Sequence, residues 1–425
     1  MRKNVIPILL SLVLLTSCGG TNTEIPAEPA EITEAPAEIG TEDMTEKKTV
    51  AAPLTDYVSE EGFAEADKWG SCDDTNLACV MRKAESGEKV TVAVIGGSIT
   101  QGTISNGGKD SEVPFKKCYA DLFFEWWKDT FPNAEFEFVN AGIGATDSYL
   151  GVHRVGEDVL KYKPDLVLVE FSVNDDGSSN CKTNYDNLVR RIAKSESAPA
   201  IMLLFMGQTN GSNAQNQHQI VGFKYELPMI SYANYISYAM ANGDFDAKEL
   251  SGDVTHPSAL GHAITGELLW KYMNNVYENL DSFGEKKPFD YDSVCAEIYL
   301  DSKILDSTSL NVTDLGTFEE SSVFNIYPNN FTCKDGDGGL TFEVEASRIG
   351  IMFYRTTDSK SGQFEVYVDG EMQTSLNGDF TGGWGNYAEC RSVYSGDAGL
   401  HTVEIRKADN SEGDVFSILG VLVSE

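Results

Sequence analysis

The stretch VAVIGGSITQGT, residues 92–103, decides how the rest of the chain is read. A run of apolar and β-branched residues stops at Gly96-Gly97, and Ser98 follows at once. An unbroken apolar run reads as a strand buried on both faces, and two glycines allow a tight exit from it. Ser98 then has two readings. It caps the next helix, or it is a nucleophile at the top of a sheet, where glycine lets backbone approach a substrate oxygen.

Outward from this stretch, apolar strand candidates at 90–95, 135–139, 166–171, 200–205 and a short 228–231 alternate with helical stretches at 115–130, 147–162, 185–194, 232–240 and 258–277. Helical crossovers between strands covered on both faces predict a parallel sheet with helices on each side, a three-layer α/β domain over 55–284. Ligands of such sheets sit beyond the carboxyl ends of the strands, the rim where Ser98 falls. Past the charged, proline-containing SFGEKKPFDYDS the helical period vanishes. Runs at 339–345, 349–354, 363–368 and 401–406 alternate apolar and polar residues between turn signals such as DGDGG and Asp369-Gly370. They predict an antiparallel β-sandwich over 285–425.

The 425 residues suit two domains, and 66 acidic residues against 32 basic ones give a net charge of -34 with no Lys/Arg cluster. Nucleic acid and anionic membrane surfaces are excluded as partners, since both are held by cationic contacts. At the N-terminus, Arg2 and Lys3 precede an apolar run over 5–15 that is too short to span a bilayer and is placed like the core of a secretory signal. Leu15-Thr16-Ser17-Cys18-Gly19 resembles the lipobox of bacterial lipoproteins, which implies a lipidated Cys18 at the mature N-terminus. A plain signal peptide with an incidental cysteine is the alternative. Segment 1–18 is thus a signal, and 19–54, built from Glu, Pro, Ala and Thr, is expected to be a disordered acidic spacer. The expectation is an exported protein facing outside the cytoplasm, in touch with membrane only through a lipid anchor. Cys72 and Cys79 are the nearest cysteine couple, but seven remain after Cys18, an odd number, and neither they nor the five histidines show metal-ligand spacing.

A serine nucleophile needs a base, a group to orient the base, and donors for the developing oxyanion. Each candidate falls on the rim that holds Ser98. After the second strand, Asn140-Ala141-Gly142-Ile143-Gly144-Ala145-Thr146 is a small-residue loop able to present an amide N–H. After the third, Ser172-Val173-Asn174-Asp175 offers the Asn174 carboxamide as a neutral donor. Before the last helix, Asp253-Val254-Thr255-His256-Pro257 sets an Asp and a His three apart, close enough to pair side chain to side chain.

The segments GGSIT, NAGIGAT, SVND and DVTHP, in this order, resemble the four sequence blocks of the SGNH hydrolase superfamily, the GDSL-like esterases and lipases. The resemblance covers most of 90–277 and implies a flavodoxin-like sheet. It makes Ser98 the nucleophile, His256 the general base and then acid, and Asp253 its orienter. The oxyanion hole would combine the Ser98 N–H, the Asn174 side chain and one amide of the second block. Alignment on Asn140 puts that amide at Ala145, whereas residue type picks Gly144. Gly97 stands where the name-giving motif has Asp, a variant of a GGSIT-type branch. No cofactor and no metal are implied, because N–H donors carry the oxyanion. His262 in the last helix, and His153 and Arg154 in the second crossover, read as packing residues. His218, in the Gln/Asn-rich 208–219, reads the same way, with the border of the cleft as the alternative.

Such a site transfers an acyl group to water and leaves the ester open. Display on a spacer suits a polymer. The second half resembles the jelly-roll accessory domains of SGNH esterases that deacetylate plant polysaccharides, although there the jelly roll comes first. Trp384 would suit a sugar ring, but burial is the commoner fate of tryptophan and is the expectation here. Tyr232, Tyr235 and Tyr238, at helical spacing, read as a packing stripe. The reading is a serine esterase that removes short acyl groups, O-acetyl foremost, from an acetylated polysaccharide or oligosaccharide. A lipase- or thioesterase-like hydrolase would need a broad apolar groove, and the loops after the strands are polar instead. A surface glycan-binding lipoprotein without turnover would have no need of Ser98, Asp253 and His256 together.

Overall fold

The computed structural model describes residues 52, 54–69, 72–334 and 338–425, so Cys18, the signal and nearly all of the 19–54 spacer lie outside the described residues. Helices α1 (Glu60–Ala66) and α2 (Thr75–Glu85) lead into β1 (Val90–Gly96), every residue of which is buried. Then follow α3 (Ser98–Gln101), α4 (Tyr119–Thr130), β2 (Phe136–Gly142), α5 (Ser148–Asp158), β3 (Leu166–Glu170), α6 (Ser179–Ala193) and β4 (Ala200–Phe205). The α/β part ends with α7 (Gln215–Lys224), β5 (Met229–Ser231), α8 (Tyr232–Asn242), α9 (Ala247–Leu250) and α10 (Ala259–Glu278).

The five strands form one parallel sheet in the order β2-β1-β3-β4-β5. Along β1, Val90, Val92 and Val94 face a core shared with α2, α4 and α10, while Ala93 and Ile95 face one shared with α5 and α6. That alternation is the two-residue period of a strand with both sides covered, and it explains why β1, β3 and β4 carry continuous apolar sequence. The strand order reverses between β1 and β3, which opens a crevice at their carboxyl ends. Ser98 leaves β1 on one side of it, and Asn174 follows β3 on the other.

The second half is a nine-stranded antiparallel sheet: β6 (Lys303–Leu305), β7 (Asn311–Asp314), β8 (Phe318–Ser321), β9 (Asn330–Cys333), β10 (Leu340–Arg355), β11 (Gln363–Val368), β12 (Glu371–Asn377), β13 (Tyr387–Lys407) and β14 (Phe416–Ser424). The long β10 and β13 pair along their lengths and shift register near Ala346 and Ile349, irregularities that bend a sheet. In β11 the buried residues are Phe364, Val366 and Val368, every second one, and Phe364 stacks on Phe416 at 4.6 Å. Asp369 and Gly370, both at positive φ (54° and 82°), make the tight β11–β12 turn that their sequence signals.

The sheet packs on the α5 side of the α/β part. Met352, Leu419 and Leu422 join the core of Leu150, Val155 and Leu188, and Tyr149 of α5 meets Tyr299 edge to face at 5.7 Å. Helices α1, α2, α7 and α9 and strands β6 to β9, β12 and β14 are elements the sequence pattern did not announce. In α7 the buried positions are Gln215, His218, Val221 and Gly222, whereas Ile220 and Phe223 are exposed, so its inward stripe looks polar. The seven cysteines from Cys72 to Cys390 are unpaired. Among the described residues no helix is long and apolar enough to cross a membrane.

Candidate active site

Ser98 is the first residue of α3, and Gly97 occupies the cap position, so the serine hydroxyl is not spent on capping. Its Oγ lies 2.9 Å from His256 Nε2, and His256 Nδ1 lies 2.7 Å from Asp253 Oδ2. Asp253 Oδ1 accepts the N–H groups of Thr255 and His256 at 3.0 and 2.7 Å. Partial burial opposes ionisation of Asp253, but the bonds from the His256 backbone and ring and from Thr255 outweigh it and hold the carboxyl below its usual range. Between them Val254 sits at φ 77°, a strained conformation for a β-branched residue, and the Thr209 N–H grips its carbonyl at 3.0 Å.

The predicted oxyanion donors gather beside this relay. The Asn174 carboxamide lies against Gly97, where a Cβ would collide with it, so this packing leaves no room for a side chain at position 97. Asn174 Oδ1 is buried without a partner, so the amide nitrogen is the end left to face the cavity. A Cβ on Gly142 would strike the backbone of Gln101, so the end of β2 packs directly on α3. There the Gly144 N–H already donates to Gln101 Oε1 at 2.9 Å. Ala145, at φ 60°, has an N–H with no partner among the described residues.

Ser98, Gly144, Ala145, Asn174, Asp253 and His256 line a cavity of about 630 Å³ whose far wall is Phe324, Ile326, Trp384, Asn386 and Tyr387 from the second half. Nothing local in the sequence marked Phe324 or Ile326 for this place. Trp384 corrects an expectation: it is 70% exposed, not buried. Gly382 (φ 79°) and Gly385 (φ 158°) lift the loop, and Gly383 abuts the Phe380 ring, where a side chain would not fit. The indole stacks on Tyr387 (4.9 Å, 28°) and meets Phe380 edge-on (5.7 Å, 81°). Arg355 braces both, its guanidinium 4.7 Å from the Phe380 centroid and 3.1 Å from the Tyr387 hydroxyl. Tyr232 and Tyr235 are buried, in keeping with a packing stripe.

His153 and His262 are fully buried, and burial pushes both down to about 4, so they are neutral packing groups at pH 7. His262 bonds the Tyr119 N–H and the Thr103 carbonyl. Arg154 holds the carbonyls of Ala141 and Gly96, tying β1 to β2 below the site. His218 is buried rather than at the cleft border, and with Asp175 and Cys181 it forms a group of metal-ligand types that the sequence did not announce. These groups are engaged with protein partners. His218 Nε2 lies 2.7 Å from Asp175 Oδ2, and the Cys181 thiol donates to the Ser178 carbonyl. Burial, with Asp175 adding, pushes that thiol up to about 12, which disfavours a thiolate ligand.

Beneath the Ser98 turn, Glu170 ends β3 with its side chain wholly buried, Oε2 accepting from Thr100 at 3.2 Å and Oε1 unpartnered. Burial, with the charge of Asp175 adding, pushes it up from 4.5 to about 7. A raised carboxyl favours the protonated folded state, so its contribution is complete below pH 4.5 and is lost as pH rises through about 7. Urea titrations of the wild type should therefore lose about 3 kcal/mol across that window that Glu170→Gln does not lose. Parallel pH curves for the two proteins would contradict this assignment.

The GDSL-like lipase/acylhydrolase family matches residues 94–264. A crystal structure of a two-domain esterase active on acetylated mannans is 30% identical, with a TM-score of 0.77 over 85% of this chain and 98% of that one. Another, of a two-domain esterase active on acetylated mannans co-crystallised with mannopentaose, is 30% identical, with a TM-score of 0.74 over 84% of this chain and 95% of that one. No curated protein matches the chain.

Proposed function

Because the chain belongs to the GDSL-like lipase/acylhydrolase family, we propose that it is a serine esterase that removes short acyl groups, O-acetyl foremost, from carbohydrate. One observation carries the reading: the Ser98–His256–Asp253 relay opens into a cavity whose opposite wall is a braced, exposed indole. A flat indole face suits the apolar face of a sugar ring, and the neighbouring esterases act on acetylated mannans.

Each step uses groups already in place. Ser98 Oγ attacks the ester carbonyl while His256 Nε2 takes its proton, and Asp253 holds the ring through Nδ1 and stabilises the imidazolium. The oxyanion is received by the Ser98 N–H, the Asn174 amide and the Ala145 N–H; Ala145 is preferred to Gly144 because the Gly144 N–H is engaged by Gln101. His256 returns the proton to the departing sugar hydroxyl, and water repeats the sequence on the acyl-enzyme.

The glycan part of the reading has its own test. Trp384→Ala should raise KM for acetylated manno-oligosaccharides about tenfold, a loss of about 1.4 kcal/mol, with kinetics on 4-nitrophenyl acetate unchanged. Equal losses on both substrates would remove the sugar platform. Faster cleavage of 4-nitrophenyl octanoate than of the acetate would move the assignment to a lipase-type hydrolase.

A further inference from the structure

Asp175 directly follows Asn174, yet its side chain turns inward and is 1% exposed. Its Oδ1 accepts the Ser148 N–H, the first amide of α5, at 2.8 Å, and its Oδ2 meets His218 Nε2 at 2.7 Å. Helix α5 is the element into which the 143–147 loop runs, so Ser148 is three residues from Ala145. His218 belongs to α7 and is fully buried, its ring stacked flat on Tyr185 at 3.7 Å. Connections that leave three different strands, β2, β3 and β4, therefore meet at one carboxylate.

The protons can be placed by counting donors. An amide N–H only donates, so Asp175 Oδ1 is its acceptor. His218 Nδ1 is buried with no partner. A carboxylate oxygen only accepts, so it is His218 Nε2 that carries a proton and donates to Asp175 Oδ2.

We infer that Asp175 and His218 are positioning residues for the oxyanion pocket, setting the Ala145 N–H and the Asn174 carboxamide at the separation the tetrahedral intermediate needs. Those two donors lie on separate loops and share no hydrogen bond among the described residues. The Asp175 bridge is the link between them, anchored from behind by His218. Such donors act only when aimed correctly, and a misplacement of about 1 Å costs roughly a hundredfold in rate. The inference rests on the esterase reading above.

The test compares full-length His218→Leu, His218→Gln and Asp175→Asn by kcat and KM on 4-nitrophenyl acetate and by the affinity of phenylboronic acid, which forms a tetrahedral adduct on a serine hydroxyl. Expected for His218→Leu is a kcat about 10- to 100-fold lower with KM nearly unchanged, and boronate binding weakened by the same factor. His218→Gln, whose side-chain N–H reaches the same carboxylate oxygen, should keep most of the rate, and Asp175→Asn should fall with the leucine variant. The positioning role is overturned if folded His218→Leu stays within about twofold of wild type, or if kcat falls while boronate affinity does not. Should His218→Leu fail to fold, equal rates for His218→Gln and Asp175→Asn overturn it. Ser98→Ala separates the two claims. Turnover surviving in that variant brings down the esterase reading and this inference with it, whereas loss there beside an intact His218→Leu brings down only the inference.

Discussion

Replacing Ser98 with alanine is expected to lower kcat on 4-nitrophenyl acetate by about 10⁴- to 10⁶-fold. The reason is geometric. The hydroxyl stands 2.9 Å from His256 Nε2 at the start of a helix whose cap it does not serve, so the attacking atom and its base are already in contact. Alanine removes the atom that bonds to carbon and leaves His256, Asp253 and the donors as they were. The residual rate is then what oxyanion stabilisation and binding give to water as nucleophile. Because the relay acts as a unit, Ser98→Ala/His256→Ala should be barely slower than Ser98→Ala alone. Steady-state kinetics decides it, and a variant retaining more than about one hundredth of the wild-type rate excludes Ser98 as nucleophile.

Asn174→Ala should cost about 10²- to 10³-fold in kcat with KM nearly constant, the signature of a donor that acts on the transition state. Its carboxamide is wedged against Gly97, with Oδ1 buried and the amide end facing the cavity, so the donor is pre-aimed and need not reorganise as charge develops. Truncation removes this donor and leaves the backbone amides to carry the oxyanion. A variant whose KM rises while kcat holds would assign Asn174 to ground-state binding and remove it from the oxyanion hole.

The strands that place these residues were legible because burial on both faces demands apolar side chains at nearly every position of β1, β3 and β4, and such runs between helical stretches mark the middle of a parallel sheet. The rim loops were legible for a related reason: Ser98, Asn174, Asp253 and His256 stand where a strand or helix ends, each beside small or turn-forming residues. Helix α7 was not, since its inward side mixes Gln215 and His218 with Val221 and its outward side mixes Ile220 and Phe223 with Asn216 and Lys224, so no apolar stripe marks it. His218 is inside because it serves Asp175, a partner 43 positions away, and no local period encodes that. The exposure of Trp384 depends on Phe380, Tyr387 and Arg355 meeting in space, and burial was the fair expectation without them. What distinguishes Gly144 from Ala145 likewise lies on another element, where Gln101 accepts the Gly144 N–H.

The role of Ser98 in passing acetyl groups from a sugar to water is tested by acetate release from acetylated manno-oligosaccharides, followed by NMR for the wild type beside Ser98→Ala. Expected are steady release by the wild type, loss of the sugar-bound acetyl signals without cleavage of the glycan backbone, and no release above buffer by the variant. Release undiminished in Ser98→Ala, or none from the wild type while longer acyl esters are hydrolysed, would contradict it.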